Sequence, residues 1–502
     1  MSQGSDYYAD LGVPRDASPE EIRRAYHKAA RELHPDVSGE ADSTELFLKI
    51  QTAYDVLSDP VQRAQYDQTL PRQEKTGPLV GLNTLYSRPT LLKINEPQLI
   101  FVMMELTAPA DAKTRPSPPI NVCLVLDRST SMQGDRMDTV KSTAIELIRQ
   151  LRQEDLVSIV TFSDRAEVLV SGGKHSNKNE IEKKIQMIQP GGGTEIFHGL
   201  EAGFFEVRSR LSNNFTNHII LITDGRTYGD EGECMRIADE AAIYGIGISG
   251  LGIGTEWNDV FLDSLAARTG GSSVFISKPG DIEKFLKEKF TGLGQIYAER
   301  VTFDISVKPG VELRYAFRLS PEANPLKTTS PIRLGTIPKE KGLVFVLEFM
   351  IDPIVTFSGS LPLAEGQISL DIPTRTNPNC ILTLQLSRTV SEEIEYPPPP
   401  TRLLKAISQL TLYRMQERAN QYLTEGQIDE ASRHMHNLAT HLFSQGLHDL
   451  ARTTLQEAEN IEQKRGLSET GKKQIKYGTR ALLLPGSLSA SDDGQAAERS
   501  NP

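Results

Sequence analysis

Cysteine is scarce: the 502-residue chain has three, Cys123, Cys234 and Cys380. None has a CxxC partner, which excludes a zinc ribbon and a disulfide framework and suits a reducing compartment. Cys123 lies inside the apolar run INVCLVL, the setting of a core thiol rather than a reactive one. Basic charge is also short. Against 66 Asp and Glu stand 55 Lys and Arg, a net charge of −11. A general nucleic-acid binder needs a basic field to neutralise phosphates, so no nucleic-acid partner is expected. Long apolar runs are missing too. The most apolar window, LIFVMMEL (99–106), is far too short to span a bilayer. The start, MSQGSDYYADLG, has neither the basic nor the apolar segment of a secretion signal. A cytoplasmic protein is expected.

What is present is an ordinary balance, 38% hydrophobic and 24% charged, with length for roughly three or four domains. Residues 6–70 read as helical. In ASPEEIRRAYHKAARELHPD, Ser18 suits an N-cap, Pro19 the first helical position and Glu21 the third, a capping box. Ile22, Ala25, Tyr26, Ala29, Ala30 and Leu33 then recur on one face, and Arg24, Lys28 and Arg31 on another. Pro35 stops this helix. A second follows with Phe47, Ile50, Tyr54 and Leu57 inward, and Asp59-Pro60 starts a short third. Residues 71–79 form a polar linker.

From 80 to 118 and again from 298 to 397 the pattern is β, and the two stretches are expected to pair into one β-sandwich. Between them, residues 119–297 alternate strand and helix: NVCLVLD, LVSIVTFS, HIILITD, IGISGLGIG and SSVFISK are the strands. That alternation implies a doubly wound, Rossmann-like α/β unit with a parallel sheet, inserted in the sandwich. Residues 401–484 read as helical hairpins. Gly426, Gly446 and Gly466 stand twenty residues apart, each suited to end a helix, with a weak likeness to tetratricopeptide hairpins. The polar tail 485–502 is expected to be disordered.

Two stretches carry chemistry. In LVLDRSTSMQG the apolar run ends on Asp127, and Ser129 and Ser131 follow at alternate positions. Ligands of open α/β sheets bind at the carboxyl ends of the strands, and oxygen donors suit a hard cation, Mg²⁺ or Mn²⁺. One loop cannot complete an octahedral shell. Thr194 follows the turn PGGG, and Asp224 ends the strand IILITD. The set Asp127, Ser129, Ser131, Thr194 and Asp224 resembles the metal-ion-dependent adhesion site of the von Willebrand factor A domain family, with all five positions filled. The resemblance implies that the serines and the threonine meet the metal directly or through water. The aspartates act mostly through water, and a partner protein's carboxylate completes the shell. Thr130 stands where glycine is frequent in that family, and Glu195 adds a carboxylate beside the site.

The second stretch is His34-Pro35-Asp36. With DYYADLGV, IRRAYHKAARELHPD and IQTAYDVLSDPVQRAQYD, it makes residues 6–68 closely similar to the J-domain of the DnaJ co-chaperone family. The resemblance implies docking on a DnaK-type heat-shock chaperone and acceleration of its ATP hydrolysis. His34, Pro35 and Asp36 would be the acting residues, with Arg24, Lys28 and Arg31 complementing an acidic partner surface. No glycine/phenylalanine-rich linker and no CxxCxGxG repeat follows, so the expectation is a specialised J-protein with an unrelated recognition module.

The reading is therefore a non-enzymatic adaptor; a scaffold for complex assembly with an accessory J-domain is the alternative. An enzyme is disfavoured: DRSTS lacks the Asp-x-Asp of aspartyl phosphatases, and there is no GxxxxGK[ST] loop. Trp257, the only tryptophan, is expected to pack the helix that follows it onto the sheet.

Overall fold

The computed structural model describes residues 7–11, 13, 17, 19–32, 41–59, 62–63, 66 and 79–483, except 115, 174–177, 213, 228, 279, 357–358, 376–377 and 393–397. Ser18, Leu33, His34, Pro35, Asp36, most of the 71–79 linker and the 485–502 tail lie outside the described residues, as does the side chain of Arg31. The chain divides into two units, 1–77 and 78–502.

The first unit holds helices α1 (Tyr7–Asp10), α2 (Pro19–Glu32) and α3 (Ala41–Ser58). Acidic Glu20 and Glu21 sit in the first turn of α2, where the helix dipole favours them. The predicted apolar faces meet: Ile22, Ile50 and Leu57 are buried with Tyr8, Leu11, Ala17 and Ala53, and Tyr26 stacks on Tyr54 at 4.1 Å between ring centroids. Asp59 Oδ1 accepts from the Gln62 amide at 3.1 Å, where the short third helix is expected to start; Pro60 itself lies outside the described residues. Arg24 and Lys28 are exposed.

The second unit opens with β1 (Gly81–Tyr86), β2 (Thr90–Leu92) and β3 (Gln98–Thr107). The α/β domain follows: β4 (Ile120–Asp127), α4 (Asp135–Gln150), β5 (Leu156–Phe162), β6 (Ala166–Gly173), α5 (Lys178–Gln186), α6 (Ile196–Ser209), β7 (Thr216–Thr223), α7 (Glu231–Ile243), β8 (Gly247–Ile253), α8 (Asp259–Thr269), β9 (Ser273–Ile276) and α9 (Gly280–Leu293). Its strands run in the order β6-β5-β4-β7-β8-β9. Alternation along β4 divides the core. Ile120, Val122, Leu124 and Leu126 meet α4, α5 and α9, while Cys123 and Val125 meet α6, α7 and α8. The sheet departs from the all-parallel expectation at one edge, where β6 runs antiparallel to β5. The segment AEVLVSGG follows β5 after a short turn with no helix between them, so the strand–helix rhythm did not reveal it.

The chain then returns to β structure: β10 (Ile296–Val307), β11 (Val311–Ser320), β12 (Asn324–Pro325), β13 (Ile332–Pro338), β14 (Leu343–Ile351), β15 (Gly359–Asp371) and β16 (Asn379–Ser391). Strands from before and after the α/β domain share both sheets, β1-β3-β14-β11-β12 and β13-β10-β15-β16-β2. The α/β domain is thus inserted in the sandwich. Ile100, Val102, Met104 and Leu106 of β3 point into the sandwich core, and Met103 joins a second cluster with Leu403, Ala406, Leu410 and Tyr413. Burial on both faces explains why LIFVMMEL reads as continuously apolar.

Among the described residues four helices follow: α10 (Thr401–Thr424), α11 (Ile428–Ser444), α12 (His448–Lys464) and α13 (Glu469–Ala481). Gly426 and Gly446 take positive φ, +76° and +77°, at the ends of α10 and α11. At the third site the left-handed residue is Arg465 (φ 56°), one position before Gly466. Among the described residues no helix is long and apolar enough to cross a membrane.

Candidate metal centre

β4 and β7 are parallel neighbours, so their carboxyl ends and the loops after them lie side by side. Asp127 ends β4 and is fully buried. Its Oδ1 accepts the Ser129 amide at 2.8 Å and its Oδ2 accepts the Thr223 hydroxyl at 2.6 Å. Burial pushes the Asp127 carboxyl up to about 6, against those two hydrogen bonds and with help from the Asp224 charge. Ser129 and Ser131 open a short 3₁₀ turn, their hydroxyl oxygens 3.0 Å apart. Ser131 Oγ donates to Asp224 Oδ1 at 2.7 Å.

Thr194 arrives from the other side. Its hydroxyl lies against Gly225, where an added Cβ would come within 2.8 Å of Thr194 Oγ1, so the close approach requires glycine there. The turn that delivers Thr194 is tied to the Ser129–Ser131 turn. Gly192 takes φ +88°, and its carbonyl accepts both the Thr130 amide and the Thr130 hydroxyl, each at 3.1 Å. Thr130, in the position where the A-domain pattern often has glycine, therefore joins two loops of the site. The Gly191 amide donates to the Arg128 carbonyl at 2.7 Å, and the Gly193 amide to Asp164 Oδ1 at 2.8 Å. Glu195 is exposed, its carboxylate 3.2 Å from His198 Nε2.

The five residues expected to form the site thus occupy one end of the sheet: Ser129, Ser131 and Asp224 in one hydrogen-bonded chain, Asp127 bracing the Ser129 amide, Thr194 beside Gly225. The donor set is all oxygen, two carboxylates and three hydroxyls, which fits a hard divalent cation. Among the described residues no group of three or more His, Cys, Asp or Glu side chains is arranged for a metal.

Residues that the sequence did not single out complete the surroundings. Thr223 holds Asp127. Arg136, in the first turn of α4, places Nη1 2.5 Å from Asp224 Oδ2. A cation in the first turn of a helix is disfavoured by the dipole unless a carboxylate faces it, a signal that could have marked Arg136. Arg226 Nε donates to the Glu256 carbonyl at 2.9 Å and Nη2 reaches Glu469 of α13 at 3.2 Å. Trp257 packs as expected: it is fully buried, and its Nε1 donates to the Gly254 carbonyl at 2.8 Å. Cys123, Cys234 and Cys380 are buried and free, and burial pushes the Cys123 thiol up to about 12.

The DnaJ domain family matches residues 6–67, the von Willebrand factor type A domain family residues 121–288, and the Sll0103-like, C-terminal alpha-helical domain family residues 401–485. The uncharacterized protein sll0103 of Synechocystis sp. is 27% identical over 377 residues, 73% of this chain and 89% of that protein. The chaperone protein DnaJ of Exiguobacterium sibiricum is 60% identical over 63 residues, but the match spans only 17% of its length. Among solved structures, a von Willebrand factor type A protein from Catenulispora acidiphila aligns over 81% of this chain and 98% of its own, with a TM-score of 0.61 at 14% identity. The ArnB paralog VWA2 from Sulfolobus acidocaldarius aligns over 82% and 99%, with a TM-score of 0.53 at 15% identity. These two share the fold. The chain therefore joins an N-terminal DnaJ domain to a von Willebrand factor type A domain and an Sll0103-like helical domain.

Proposed function

We propose that this protein is a specialised J-protein adaptor: its J-domain stimulates a DnaK-type chaperone through His34, Pro35 and Asp36, and its A domain captures a protein partner at a divalent-metal site. The observation that carries the reading is the union, in one chain, of a DnaJ domain with five oxygen-bearing side chains at one end of the A-domain sheet. Ser129, Ser131 and Thr194 would hold Mg²⁺ or Mn²⁺, with Asp127 and Asp224 orienting them, and the bound cation would supply a Lewis-acid bridge to a partner carboxylate. Asp127 keeps the Ser129 backbone in place, and Ser131 and Asp224 hold each other. Arg24 and Lys28, both exposed, and Arg31 are assigned to the chaperone surface. No enzymatic activity of the chain itself is invoked; ATP is hydrolysed by the chaperone, and the protein works in the cytoplasm.

The test is Mg²⁺-dependent retention of partners by the intact protein and by its Asp127→Ala variant. Retention lost both in the variant and in excess chelator supports the metal bridge. Retention that persists in excess chelator contradicts it.

A further inference from the structure

Asp224 has both carboxylate oxygens engaged. Oδ1 accepts the Ser131 hydroxyl, and Oδ2 lies 2.5 Å from Arg136 Nη1, which also reaches the Ser131 carbonyl at 3.4 Å. The Asp224 side chain is wholly buried, whereas that of Arg136 is 37% exposed. The guanidinium lies against Gly254: a Cβ there would come within 3.0 Å of Arg136 Nη2. This seat is braced from behind. The next carbonyl, Thr255, accepts the buried Lys473 ammonium of α13, and the Glu256 carbonyl accepts Arg226.

We infer that Arg136 is an internal counter-cation of the metal centre, competing with a divalent ion for Asp224 and thereby setting the affinity of the site. The inference rests on the metal reading proposed above. Asp127 and Asp224 bring two negative charges when ionised, and Arg136 offsets one. An incoming cation must displace the guanidinium from Asp224 or share the carboxylate with it against their mutual repulsion. A monovalent ion gains nothing over the guanidinium already there, because it brings no more charge. A divalent ion does. Arg136 thus selects for charge as well as lowering affinity. The helix dipole adds to this, since the first turn of α4 disfavours a cation and leaves Asp224 as the main attraction that holds Arg136 in place.

The test is Mn²⁺ titration of the full chain, with free aquo-Mn²⁺ read by electron paramagnetic resonance. It compares the wild type with Arg136→Gln, Arg136→Lys and Asp224→Asn, each checked for an unaltered unfolding midpoint in chelator. Arg136→Gln is expected to bind roughly two- to fivefold tighter, the equivalent of removing one partly exposed competing ion pair. Arg136→Lys keeps the cation and is expected to fall between Arg136→Gln and wild type. Asp224→Asn is expected to weaken binding. If the wild type binds and Asp224→Asn weakens it, but Arg136→Gln binds no tighter, the counter-cation role is overturned and the metal site stands. If neither wild type nor Arg136→Gln binds Mn²⁺, both are overturned.

Discussion

Arg480 of α13 and Asp263 of α8, 217 residues apart in sequence, meet in a two-pronged ion pair, Nη1 to Oδ1 at 3.0 Å and Nη2 to Oδ2 at 2.7 Å. Lys476, one turn earlier on α13, pairs with both Asp259 and Asp263. The last helix is therefore fastened to the A domain by charges that are themselves buried. Breaking such a pair from one side leaves an unpaired buried charge. Asp263→Asn is expected to cost about 3–5 kcal/mol of unfolding free energy, measured by urea titration.

The same contacts set an acid limit. Burial raises the Asp263 carboxyl, but Arg480 and Lys476 outweigh it and hold it well below the usual carboxylate range; Asp259 is lowered in the same way by Lys476 and Lys472. With the folded values depressed, the stabilisation is complete above the unfolded carboxylate range near pH 4 and is lost as pH falls toward the folded values. Trp257, with the Lys473 ammonium 5.2 Å from its ring and the Tyr477 ring 5.9 Å away, reports on this docking. Its emission is expected to shift in acid, and at a higher pH in Asp263→Asn than in the wild type.

Glu299 behaves in the opposite sense. It lies at the junction of the sandwich with the A domain, 4% exposed, and burial pushes it up to about 8, with Arg300 opposing and Asp371 adding to the rise. An acid with a raised folded value costs stability as pH climbs from its unfolded value toward the folded one. Glu299→Gln removes that cost. The variant is expected to melt higher by roughly a few degrees at pH 8, and the gain should shrink toward pH 4.5, followed by scanning calorimetry.

The placement of the candidate site was legible because its residues stand at strand ends within short, recognisable stretches. Asp127 and Asp224 close two apolar runs, and hydroxyls or glycines follow at fixed spacing. What was not legible depends on distance. Lys473, Lys476 and Arg480 are buried against Thr255, Asp259 and Asp263, which lie 217 or 218 residues away in sequence, beyond the reach of any local pattern. Arg136 carries a local mark, a cation in the first turn of a helix, but its partner Asp224 lies 88 residues further on. β6 escaped because no helix separates it from β5 and it ends in two glycines, with its outward residues exposed.

Asp127 supports the site through Ser129 rather than by facing outward. Asp127→Ala removes the acceptor of both the Ser129 amide and the Thr223 hydroxyl. The expected result is Mn²⁺ affinity lower by about 10- to 100-fold, as for other supporting partners of metal ligands. Equilibrium dialysis in the same buffer measures it.

The J-domain half can be put to the most direct test. The measurement is the single-turnover ATPase rate of a DnaK-type chaperone with the intact protein and with its His34→Gln variant. The account predicts acceleration by the intact protein and none by the variant. An unaccelerated chaperone, or equal acceleration by both proteins, would contradict it.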